Sequence, residues 1–216
     1  MQTTYVDQFH DAQDDGSRRK LGLAKFDDDA RALFDDLFRL MASQSGSGGI
    51  DYTLFWRALS CPPPPEGGAT AGTAGMGAED AAAAGLAAPS AQLGALRAIL
   101  EAAALDDVDT WPTEHTEAWT AWGERYWARV RSEESADLSQ SERLAMMRAA
   151  NPKYILRNWM AMEAYDAANR GDYTIVNELH EVLTRPYDEQ GADIDAKYAQ
   201  VTPKWARQRA GLAFLS

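Results

Sequence analysis

Residues 151–190 read NPKYILRNWMAMEAYDAANRGDYTIVNELHEVLTRPYDEQ, and this stretch decides the fold. Asn151 is a residue type that caps helix N-termini, and Pro152 suits the first helical position, where a missing N–H costs nothing. Ile155, Leu156, Trp159, Met160 and Met162 then recur at helical spacing, with Asn158 among them. Gly171 fits the position just past a helix end. Asp172 is placed to cap a second helix carrying Ile175, Val176, Leu179, Val182 and Leu183 on one side, and Pro186 stops it. The pattern predicts a helical hairpin with a Gly-Asp corner.

Working outward, the rest of the chain also reads as helix. Residues 5–20 form a helical segment with Tyr5, Phe9 and Val6 inward. Asp27 or Asp28 caps a helix with Leu33, Phe34, Leu37, Phe38, Leu40 and Met41 as its apolar stripe. SQSGSGG at 43–49 is a flexible turn without the carboxylate spacing of a calcium loop. Asp51 caps a short helix with Leu54, Phe55, Ala58 and Leu59. Residues 61–90, CPPPPEGGATAGTAGMGAEDAAAAGLAAPS, are Pro-, Gly- and Ala-rich and have almost no apolar bulk to nucleate a core, so they are expected to be disordered. Helix resumes at 91–104, and DDVDT at 106–110 makes a turn. Trp119, Trp122, Tyr126 and Val130 then fall on one helix face with Trp127 beside them. Ser139 with Glu142 forms a capping box for a helix with Leu144, Met146 and Met147. The expectation is an all-α irregular helical bundle forming one domain: helices over 1–60, an insert over 61–90, and a helical region over 91–216.

Several of these segments carry a family resemblance. NPKYILRNWM and GDYTIVNELHEVLTRPYDEQ resemble the C-terminal region of the SelO family, also called YdiU or selenoprotein O. RRKLGLA at 18–24, DDDARALFDDLFRLM at 27–41, DYTLFWRALS at 51–60 and TPKWA at 202–206 fit in the same order. The resemblance implies a pseudokinase-fold protein adenylyltransferase that moves AMP from ATP, with Mg²⁺, to protein hydroxyls. It also implies that the catalytic parts lie in a kinase-like domain N-terminal to Met1, so no catalytic, cofactor or metal residue is assigned to this chain. That domain, or another protein, is the implied partner. The motif residues are Asn151, Pro152, Lys153, Arg157, Asn158, Gly171, Asp172, Pro186, Tyr187, Asp188 and Glu189. The family's closing Cys-Ser-Ser or selenocysteine-Ser-Ser tail has no counterpart, because Ala213 stands near the sulfur or selenium position.

Charge and composition exclude other classes. A net charge of −12 over 216 residues argues against a phosphate-tracking nucleic-acid surface and against anionic membranes. No apolar run reaches membrane-spanning length. The acidic start MQTTYVDQFHDAQDD resembles neither a signal nor a transit peptide. One cysteine, Cys61, leaves no internal disulfide and no cysteine zinc site. A soluble intracellular protein is expected, cytoplasmic or mitochondrial by resemblance.

Candidate chemistry is sparse. The Trp119, Trp122 and Trp127 stripe reads as core packing or, less simply, as a stacking platform for a base. Lys153 and Arg157, four apart at a helix start, oppose the dipole and ask for an anion. Asp188 and Glu189 at the hairpin's far end are the favoured partners; a phosphate, or a carboxylate on another domain, is the alternative. His10, His115 and His180 show no HExxH spacing, and Cys61 has no neighbouring base. No GxGxxG, GxxxxGK[ST], HRD or DFG element is present.

Overall fold

The computed structural model describes residues 2–42, 49–61, 89–133 and 138–209. Among them the fold is all-α. In chain order the helices are α1 (Gln2–Leu21), α2 (Asp28–Ala42), α3 (Tyr52–Leu59), α4 (Pro89–Ala103), α5 (Thr113–Glu133), α6 (Gln140–Ala150), α7 (Asn158–Ala168), α8 (Thr174–Thr184), α9 (Ala192–Tyr198) and α10 (Lys204–Arg207), with a 3₁₀ turn at Val108–Thr110. A single antiparallel bridge joins Ile50 to Ala104. The Gly-Ser turn at 43–48, residues 62–88 of the insert and the closing segment from 210 lie outside the described residues.

The starts of α2, α3 and α6 follow from their capping residues. Asp27 Oδ1 accepts the Ala30 N–H at 3.0 Å, and Asp51 Oδ1 accepts the Leu54 N–H at 3.0 Å. Ser139 and Glu142 close the reciprocal capping box of α6. Each such cap satisfies a donor that the first helical turn otherwise leaves unpaired, worth about 1 kcal/mol.

Two cores result. The larger gathers α1 to α6 around Leu37, Phe55, Trp56, Trp119, Trp122, Tyr126 and Val130. The α5 stripe is inward as expected, with Trp119 0% and Trp122 2% exposed. Trp122 stacks on Tyr126 at 5.2 Å, Trp122 Nε1 donates to the Leu33 carbonyl at 3.0 Å, and Tyr126 Oη donates to that of Leu21 at 3.0 Å. These bonds give Trp122 and Tyr126 the polar partner each needs, whereas the buried indole N–H groups of Trp56, Trp111, Trp127 and Trp159 have none among the described residues. Gly123 is where α5 meets α4: a Cβ there would lie 2.6 Å from Leu96 Cδ2. Gly22 ends α1 with φ +69°, a conformation that disfavours any side chain, and Met147 of α6 fills the space a side chain would need. α3 and α4, the helices flanking the insert, pack directly on each other.

The smaller core joins α7, α8, α9 and α10 through Trp159, Met160, Leu179, Val182, Tyr198 and Ala206. α7 and α8 are the expected hairpin, with Gly171 at φ +84° at its corner and Asp172 Oδ1 accepting the Thr174 N–H at 2.9 Å.

Two expectations are corrected. α1 does not bury Phe9 or Val6, which are 56% and 48% exposed. The end of α1, from Ser17 to Leu21, meets the core and leaves Val6 and Phe9 outside it; the side chain of Tyr5 lies outside the described residues. Asn151 does not start a helix either. Its N–H bonds to the Met147 carbonyl, making it the C-cap of α6, and α7 begins only at Asn158 with Arg157 before it. Pro152 explains this, because it pushes the preceding residue out of helical geometry. Residues 152–157 are a non-helical strap, tied back where the Lys153 and Tyr154 N–H groups both donate to the Pro186 carbonyl. Leu156, counted in the helical pattern, is 55% exposed on this strap.

Candidate functional site

Of the polar residues that the sequence singled out, the strap carries Lys153 and Arg157, and it runs between the two cores. Asn151 opens it, fully buried. Its Nδ2 donates to Ser60 Oγ at 3.1 Å, its Oδ1 accepts Lys20 Nζ at 3.2 Å, and its carbonyl accepts Arg57 Nη1 at 3.2 Å. Polar groups of α1 and α3 therefore converge on the side chain and carbonyl of this one residue at the end of α6, as burial of such groups requires. Burial lowers the Lys20 pKa, and its ammonium lies 5.5 Å above the Tyr52 ring.

Arg157 closes the strap. Its Nη1 and Nη2 donate to Asp51 Oδ2 and Oδ1 at 2.5 and 3.0 Å, a bidentate pair with both side chains at most 3% exposed. Asp51 thus caps α3 and neutralises Arg157 at once. Planar guanidinium geometry matches a carboxylate in this way, and a lysine would not.

Lys153, between them, binds Asp195 Oδ2 of α9 at 2.7 Å and also the Glu189 carboxylate. Burial disfavours its charge, but the Asp195 and Glu189 carboxylates outweigh this and hold the ammonium above its ordinary range. Glu189 bridges to Arg57 as well. Desolvation pushes its carboxyl up, and Lys153 and Arg57 more than reverse that, so it stays ionised. Tyr154 Oη donates to Asp195 Oδ1 at 2.5 Å; burial and this carboxylate raise the phenol's pKa.

The internal ion-pair reading is therefore right for Lys153, which meets Glu189. For Arg157 the partner differs: it is Asp51, and Asp188 takes no part, being exposed on the loop beside Tyr187. Neither cation lies within a helix: Lys153 is on the strap and Arg157 is the N-cap residue of α7. Gly171 and Asp172 lie at the opposite end of the hairpin. Sequence reasoning missed Arg57, Ser60, Lys20 and Asp195 as members of the network. A separation of 106 residues between Asp51 and Arg157 leaves no periodic trace.

Elsewhere the polar groups serve packing. Arg143, 2% exposed, donates to the Gly22 carbonyl, and Glu133 accepts the Ala24 N–H at 2.8 Å. His115 Nε2 accepts the Trp119 indole N–H at 3.2 Å. Cys61 is exposed, and desolvation of its sulfur raises the thiol pKa, unlike an activated nucleophile. Among the described residues no three His, Cys, Asp or Glu side chains gather as metal ligands. No helix among them is long and apolar enough to cross a membrane.

Among the described residues, ten helices in two cores make up an all-α fold. Comparison with known proteins gives it a lineage. No protein-family model matches the chain. It is 38% identical over 190 residues to protein nucleotidyltransferase YdiU of Pseudomonas fluorescens strain SBW25, covering 88% of this chain and 30% of that protein. It is 34% identical over 214 residues to the YdiU protein of Rhodopirellula baltica, covering 98% of this chain and 35% of that one. Over 103 residues, 48% of this chain, identity to the Azoarcus YdiU protein reaches 47%. The chain belongs to the YdiU (SelO) family. It spans about a third of the length of the curated relatives it matches most fully.

Proposed function

We propose that this chain is the C-terminal helical scaffold of a YdiU-type protein adenylyltransferase, bracing a kinase-like domain that transfers AMP from ATP to Ser, Thr or Tyr hydroxyls. Phosphoryl and nucleotidyl transfer needs free cations and backbone donors around the phosphates, and carboxylates around Mg²⁺. One observation carries the scaffold reading. The three buried arginines of the described residues, Arg57, Arg143 and Arg157, donate to Glu189 and Asn151, to Gly22 and to Asp51. A site for ATP would have to compete with these bonds. No step of the reaction is therefore assigned to these residues; ATP and Mg²⁺ belong to the other part of the family's chain.

A second reading is a helical module that holds a protein partner. Tyr165 and Tyr173, 71% and 60% exposed on the α7–α8 hairpin, favour it.

Incubation with ATP labelled in the α-phosphate, with Mg²⁺, tests the proposal. The chain alone should transfer no label. Joined in frame to the remaining length of a YdiU relative, it should support transfer that the relative loses without its matching segment. Label incorporated by this chain alone overturns the scaffold reading. A relative that keeps full transfer without the segment points to the module.

A further inference from the structure

A cavity of about 330 Å³ lies between α3, α4 and α5, beside the strap. That volume is at the small end of the range that holds small-molecule ligands. Its walls are apolar, with Ala58, Ala98, Ile99 and Trp127 among them, and Arg57 and Lys153 also border it. Small side chains on α4 make the room. The two cations make the site unlike an ordinary packing defect, because an apolar void has no use for them.

The occupant can be read from what already bridges these cations. Arg57 and Lys153 have side chains 6% and 13% exposed, while the Glu189 carboxylate that spans them is 61% exposed. Two largely buried cations thus share one outer, loop-borne carboxylate, while Asp195 on Lys153 and the Asn151 carbonyl on Arg57 remain as inner partners. Arg57 also keeps its buried Nε–H without an acceptor. Exchange of Glu189 for another carboxylate keeps an anion on both cations, so neither buried charge is left unpaired.

We propose that this cavity binds a small aliphatic carboxylate, its head replacing Glu189 between Arg57 and Lys153 and its chain lying against Ala98, Ile99 and Trp127. The head gains charge-assisted hydrogen bonds, and the chain leaves water for an apolar wall. Binding would release Glu189, and with it one tie between the strap and the loop joining α8 to α9.

Titration of the full chain with octanoate, octanol and octylammonium by calorimetry tests this. Octanoate should bind saturably at one site, and the two uncharged or cationic analogues should not. Glu189→Gln should tighten octanoate about five-fold, the scale of removing one exposed ion-pair competitor. Ala98→Leu, which fills the cavity, should abolish binding. Because that variant also changes core packing, circular dichroism is taken alongside, and the loop variant Glu189→Gln decides the matter by itself. No saturable octanoate binding to folded wild type and folded Glu189→Gln overturns the proposal. Equal binding of octanol or octylammonium overturns the carboxylate head.

Discussion

Asp27 and Asp51 do the same two jobs in different surroundings. Each caps a helix, α2 or α3, and each takes a bidentate arginine from far along the chain, Arg129 or Arg157. Asp27 is 52% exposed and its arginine 17%; Asp51 and Arg157 are 3% and 2%. The first pair sits on the rim of the aromatic core, where water already solvates both charges. The second sits at the strap that joins that core to the α7–α10 cluster, where no water offers an alternative. Exposed pairs contribute about 0–1 kcal/mol, whereas removing one partner of a buried pair costs about 3–5. The lesson is that the aromatic core holds itself by burial, and the junction between cores holds by charge matching.

The largest effect should come from reversing the buried arginine. Arg157→Glu faces Asp51 with a like charge and should cost at least the ~3–5 kcal/mol of a broken buried pair, read as a lower urea midpoint. The double change Asp51→Asn with Arg157→Met keeps a capping side chain and removes both charges. It should recover most of that loss, since a well-packed neutral replacement is often no worse than the pair. A double variant as unstable as Arg157→Glu would show that the pair is needed for more than neutrality.

Truncation in the aromatic core tests the other half of the contrast. Trp122→Ala should cost about 3–5 kcal/mol through lost burial and a cavity, and salt should leave that cost unchanged. Lys153→Met should cost less, about 1 kcal/mol, and this loss should shrink at high ionic strength because Glu189 and Asp195 are partly solvated. A salt-independent Lys153→Met would place the strap with the hydrophobic core and remove the distinction.

The sequence already showed much of both cores, Trp159, Met160, Leu179 and Val182 of the second included, and little of the strap between them. Trp119, Trp122, Tyr126 and Val130 share a helix face, and periodicity finds such a face without any knowledge of what covers it. The caps at Asp27, Asp51 and Ser139 are local signals of the same kind. The strap was misread because Asn-Pro is both a helix start and a helix stop, and only the Asn151 bonds to Ser60 and Lys20 choose between them. Lys153 and Arg157 were recognised as needing anions. Their partners, Asp195 and Asp51, lie 42 and 106 residues away, and charge alone cannot choose among the chain's 33 acidic residues.

Acid should separate the two aspartates most finely. The Arg129 guanidinium and the Ala30 N–H hold the Asp27 carboxyl down at about 2, below the ordinary unfolded value of about 3.9. A carboxyl whose folded pKa is depressed binds protons more readily when unfolded. Its stabilisation is therefore fully present above about pH 4 and is lost as pH falls towards about 2. Asp27→Asn keeps a capping oxygen but cannot form the ion pair. The gap in melting temperature between wild type and Asp27→Asn should be small at neutral pH, since solvent screens this rim pair, and should close between about pH 4 and pH 2. Other carboxylates held low, Asp36 and Glu178 among them, destabilise both proteins together on acidification, so the difference isolates Asp27. A gap that persists unchanged at pH 2 would mean that Asp27 acts through its cap alone, and that Arg129 adds nothing at the rim.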